Sequence, residues 1–135
     1  MATIGNDAAD AIGVSGSFLE RSLAGTLPEF QAEWRELRRT YPDDAPPSAE
    51  DFLGHLVAHV QHALEKGRVA EVTRLFFAVE RLLADADPIL QELLEECLIA
   101  RLATECRETG IAPALVLPHL GARSRLAWDR NSGPP

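Results

Sequence analysis

Four side chains could gather a metal ion. Asp51, His55, His59 and His62 recur at spacings of four, four and three. On a helix turning about 100° per residue, the three imidazoles fall within about 60° of one another, opposite the apolar stripe. Such a set suits zinc or nickel. The stretch reads HLVAH, however, and lacks the glutamate with which an HExxH site activates water. This face therefore supports a metal-binding protein or enzyme as one alternative, and a plain row of solvent-facing histidines as the other. His119 follows Pro118 and reads as a cap or an exposed loop residue.

Carboxylates are the second candidate chemistry. Glu92, Glu95 and Glu96 share part of one helix face. A di-iron bundle needs an ExxH pair on each of two helices, and no ExxH occurs in the chain. These glutamates border leucines instead of replacing them, which fits a solvated face or a protein-binding face. Glu80 sits at the margin of another stripe, beside Phe77, and is expected to pair with Arg74, Arg81 or an arginine of the tail rather than act as a catalytic acid. The early GVSGS follows no strand, and neither GxSxG nor a Walker pattern is present. Cys97 and Cys106 lie nine residues apart. On one helix that is roughly 13 Å along the axis, too far to pair. They read as free packing thiols, because a reactive thiol needs an electropositive setting and this stretch is acidic.

The elements that must position these groups read as helices throughout. A short helix starts at Ser15 or Ser17 and stops at Gly25. Pro28 opens a second, with Phe30, Trp34 and Leu37 on one face and Arg35, Arg38 and Arg39 toward solvent. The prolines of YPDDAPP stop it. Ser48 caps a long helix, with Asp51 placed for a capping box and Gly67 for a left-handed end. Val69, Val72, Leu75, Phe76, Val79, Leu82 and Leu83 mark the next. Asp87 and Pro88 begin a third, carrying Leu90, Leu93, Leu94, Cys97, Leu98 and Leu102 and ending at Gly110. Phe52 and Phe77 lie slightly off their stripes, so either the core wraps wide around these helices or an aromatic is exposed for a partner; the core is the expectation. A short apolar piece, Ala114 to Leu117, and a turn near Ser124 to Trp128 complete the pattern, with Trp128 packing back.

The expectation is a single all-α domain over residues 15–130: a bundle of antiparallel helices, three long helices with short ones at either end, with a HEAT-like pairing left open. Residues 1–14 read as a flexible start and 131–135 as a disordered tail.

Charge narrows the partners. The 135 residues carry a formal charge of −8 and a pI near 4.9. Nucleic-acid backbone binding needs a cationic footprint, so nucleic acid is not expected. No apolar stretch is long enough to span a membrane, and no signal-peptide pattern opens the chain, so cytoplasm is the expected compartment. Residues 87–108 hold six carboxylates against two arginines, whereas residues 109–135 hold three arginines against one aspartate. The candidate partner-binding residues are therefore Asp87, Glu92, Glu95 and Glu96, with Asp43 and Asp44 as additions. No cofactor is expected.

The segment FLGHLVAHVQHALEKGRVAEVTRLFFAVERLLADADPILQELLEECLIARL resembles small helical bacterial proteins of a largely uncharacterised family. The matching features are Lys66-Gly67, Phe76, Val79-Glu80 and the stretch from Leu93 to Glu96. In the tail LGARSRLAWDR they are Leu120-Gly121, Ser124 and Trp128. The resemblance covers about residues 28–130. This chain departs from it at Cys97-Leu98-Ile99-Ala100, where a Gly-Phe-Leu-Glu stretch is usual, and at NSGPP, where aromatics are usual. Members are associated with polymorphic toxin systems as candidate immunity proteins. The resemblance implies a protein that binds without turnover and, as an immunity protein, occludes a cognate toxin; the acidic charge fits a basic one. A scaffold or regulatory subunit unrelated to toxins is the alternative within the protein-binding class.

Overall fold

The computed structural model describes residues 16–132, so the flexible segment expected over residues 1–14, and residues 133–135, lie outside the described residues. Local signals set most helix ends. Ser48 accepts from the Asp51 backbone N–H at 3.0 Å, and the Asp51 carboxylate accepts from the Ser48 N–H at 2.9 Å, a full reciprocal capping box. That box opens α3 (Ala49–Glu65), which α1 (Gly16–Leu23) and α2 (Pro28–Arg39) precede. Gly67, at φ 73°, turns the chain into α4 (Val69–Ala84). Asp87 caps α5 (Pro88–Leu94) by accepting the Leu90 N–H at 2.8 Å, with Pro88 in the first turn. The helix runs on through a π-helical segment, Glu95–Ala100, into α6 (Arg101–Thr109), ended by Gly110 at φ 78°. Two short 3-10 turns, Pro113–Leu115 and Leu117–His119, lead to α7 (Ala122–Ser132).

From the π-helical segment onward the buried face of this helix widens. Each such turn takes in an extra residue and rotates the following face. Leu93 and Cys97, expected inside, are only partly buried; Ile99, Ala103 and Cys106 are buried with Leu90, Leu94, Leu98 and Leu102. The widened turn packs against α3 on one side and α7 on the other.

One continuous core joins these elements into a single all-α domain, with no strand among the described residues. Leu19 and Leu23 of α1 are fully buried, and α1 packs on α3. Beside them Phe30, Trp34 and Phe52 form an aromatic cluster, with Trp34 and Phe52 edge-to-face at 5.0 Å and Phe30 and Phe52 at 5.7 Å. Phe52 is thus in the core. Phe77 is not: its ring is 67% exposed. Phe76 takes the inward position, and the next residue on a helix is turned about 100° away from it.

The tail is more ordered than its sequence pattern predicts. In place of a single turn, α7 is a helix of 11 residues that continues through Asn131 and Ser132. It burying Ala127 and Trp128 against the core accounts for its place, and three polar ties fix it. At its start, Glu80 of α4 acts as a cap supplied from another helix. One Glu80 oxygen accepts the Arg123 N–H at 2.8 Å; the other accepts the Ser124 N–H and hydroxyl, each at 3.2 Å. The Arg123 guanidinium stands 3.6 Å away, so the tail-arginine pairing expected for Glu80 is the one formed. Further along, Arg130 pairs with Glu95 at 2.6 Å. Near its end, Arg107 of α6 donates to the Asn131 carbonyl at 3.1 Å. Gly121 makes room for the first tie: a Cβ there would meet the Glu80 carboxyl at 2.5 Å.

Burial alone would raise the Glu80 pKa, but the two backbone N–H groups, the Ser124 hydroxyl and Arg123 outweigh it and hold the carboxyl below its ordinary value. A depressed folded-state pKa stabilises the fold above the unfolded value and loses that contribution as pH falls through the folded one. Glu80→Gln should therefore cost about 1–2 kcal/mol in urea unfolding at neutral pH. The gap between wild type and variant should stay level down to the ordinary value of 4.5 and close below it. Gly121→Ala should also destabilise, by roughly 1–3 kcal/mol, because the α7 start and the carboxylate cannot keep their places.

Candidate protein-binding site

The acidic residues of α5 and the π-helical segment do not form one uniform face. Glu92 and Glu96 are exposed, one turn apart, and neither forms an ion pair among the described residues. Glu95 is turned to α7, where it holds Arg130 and also accepts from the Gln91 side chain at 3.0 Å. Asp87 is exposed, with one oxygen committed to its cap. Asp43 and Asp44 are exposed on the connector between α2 and α3. There Asp43 shares the wall of a cleft of about 380 Å³ with Trp34, Arg38 and Tyr41.

The patch gains a residue that the sequence pattern passes over. Burial raises the pKa of the half-buried Cys97 thiol first, and the nearby carboxylates of Glu50, Glu96 and Glu92 add to it, against a smaller opposing effect of Arg101. Glu50, exposed in the first turn of α3, thus adds its charge to those of Glu92 and Glu96 at one thiol. Its only sequence signal is its place beside Asp51. Arg101 lies against α3 at Gly54, 3.6 Å from where a Cβ would be. Three exposed carboxylates from two packed helices thus act on one thiol, with one arginine opposing them.

The histidine set is taken apart by the fold. His59 does not face solvent: it is 5% exposed, with Nε2 3.0 Å from Glu71 and its ring 5.2 Å from Phe30. Helix α2 lays Phe30 and Trp34 across that side of α3, so α3 is covered well beyond its apolar stripe. Glu71, itself buried, has Arg68 at 3.3 Å as a second partner, and Arg68 also pairs with Glu29. A buried charge needs such partners. His55 meets the Tyr41 hydroxyl at 3.2 Å, His62 is exposed, and Asp51 is held in its capping box. Among the described residues no group of three or more His, Cys, Asp or Glu side chains is arranged to hold a metal ion. His119 forms a 2.8 Å hydrogen bond with Thr73 of α4.

Burial, with Glu105 adding to it, pushes the Cys106 thiol up to about 11. Both cysteines are free and protonated near neutral pH. Titration of the folded chain with Ellman's reagent at neutral pH should give one slow thiol, Cys97, and one that reacts only on unfolding, Cys106. A fast-reacting thiol in the folded chain would contradict this environment.

No helix among the described residues is long and apolar enough to cross a membrane. Neither a curated protein nor a solved structure matches the chain. A family model matches residues 21–133, a span that holds both Glu80 and the α7 start it caps. The chain therefore belongs to the family described as a domain of unknown function, DUF7674.

Proposed function

We propose that this protein is a binding module that serves as an immunity protein, neutralising a cognate bacterial toxin by covering its active site. The observation that carries this reading is the exposed pair Glu92 and Glu96, one turn apart and without an ion pair among the described residues, with exposed Glu50 on the helix packed beside them. A toxin that cleaves nucleic acid presents a cationic substrate groove, and a rigid acidic surface complements it. Such complementarity speeds encounter and rejects wrong partners more than it adds affinity. The sequence resemblance to candidate immunity proteins supports the same reading. Binding of this kind uses no cofactor and no turnover, and cytoplasm is the compartment in which it would act.

Co-expression with the product of the gene immediately upstream tests the proposal. A one-to-one complex that restores growth supports immunity; a complex with a non-toxic partner makes the chain a scaffold or regulatory subunit instead. Within the complex, Glu92→Lys with Glu96→Lys should slow association at least about tenfold at low salt, and less at high salt, while leaving thermal stability unchanged. Glu95→Lys should behave differently and lower stability, because it removes the partner of Arg130. Association unchanged by the Glu92/Glu96 reversal would remove this face from the interface.

A further inference from the structure

The groove between α4 and the α1–α2 turn has a chemistry opposite to that of the rest of the chain. One wall is a single face of α4, formed by Arg74, Phe77, Ala78, Arg81 and Leu82, with Asp85 just past its end; the other is the end of α1 and the turn through Pro28. The opening is about 810 Å³. Phe77 stands in it with two-thirds of its ring in solvent. Arg74 is anchored at the rim, its Nε donating to the Thr26 carbonyl at 3.1 Å. Neither Arg74 nor Arg81 forms an ion pair among the described residues. Two unpaired arginines thus bracket an exposed aromatic ring on a chain whose formal charge is −8.

We propose that this groove docks an acidic amphipathic helix of a protein partner. Arg74 and Arg81 are seven residues apart, two turns or roughly 10 Å along α4. A helix lying in the groove would meet them with carboxylates at the same separation and place apolar side chains between, on Phe77 and Leu82. Arginine binds carboxylates through paired hydrogen bonds, and aromatic and arginine side chains together are the usual anchors of an interface. A helix laid in a groove presents its anchors at this three-to-four and seven spacing. The first turn of α2, at Pro28, adds the partial positive charge of a helix start near Arg74. Asp85 disfavours a further carboxylate at the other end, which sets the register of the bound helix. The inference does not rest on the immunity reading; the groove and the acidic patch use different residues and opposite charge.

Selection of a displayed library of random 16-residue peptides against the full chain tests it, with selected clones measured by fluorescence anisotropy. The expected peptides carry acidic residues seven apart that flank apolar ones. Phe77→Ala and Arg81→Glu should each weaken them at least about tenfold, and added salt should weaken them further. Both side chains are exposed and neither makes a polar contact within the described chain, so circular dichroism and thermal midpoint should not change. Selection that enriches no peptide, or basic peptides, or peptides indifferent to both substitutions, overturns the proposal. Self-association abolished by Phe77→Ala in sedimentation would do so too, because the occupant would then be a second copy of the chain.

Discussion

The carboxylate of Glu80 is the contact on which the arrangement of the second half depends. It lies on α4, and it meets the exposed N–H groups at the start of α7, more than forty residues later. The first turn of a helix has no partners of its own for those groups, and an anion there is favoured by the helix dipole as well. Because α7 is short and polar on much of its surface, its place on the core rests on few buried residues, chiefly Ala127 and Trp128. The cap selects where that short helix begins, and Gly121 leaves the space the carboxylate occupies.

From that placement the available surface follows. Once α7 is docked, Arg130 claims Glu95, and the acidic patch becomes Glu92 and Glu96 with Glu50 from α3. Helix α4 meanwhile serves two sides. One edge carries Glu80 to α7, and another holds Phe77 in the groove beside α1. A chain of this size can therefore offer an acidic surface and a cationic apolar one without a second domain. Its polar cluster, buried His59 and Glu71 with part-buried Arg68, ties α3 to α4 and adds nothing to either surface.

What could be read from the residues alone divides along a physical line. The Ser48–Asp51 box, the Asp87–Pro88 start and the glycines at 67 and 110 were legible because each is settled by neighbours a few residues away. The helical period turns His59 to solvent with His62, and its burial depends on where α2 lies, which no local period records. Phe77 is the converse case: its stripe leaves the position ambiguous, and only the packing of α1 and α7 on α4 leaves it exposed among the described residues. From the widened turn at Glu95–Ala100 onward Ile99 and Ala103 join Leu98 and Leu102 in the core, an addition that a fixed 3.6-residue period does not record. Glu80 lay between these cases. Its pairing with a tail arginine was foreseeable from charge, but its role as a cap for a distant helix was not.

Native-state hydrogen exchange at the Arg123 and Ser124 amides tests this account most directly. In the wild-type chain both should be protected nearly to the level of the core helices, although the first turn of an isolated helix has no such protection. In Glu80→Gln that protection should fall for α7 before it falls for α3 or α4. Amides at Arg123 and Ser124 that exchange freely in the wild type, or that keep their protection when Glu80 is replaced, would contradict it.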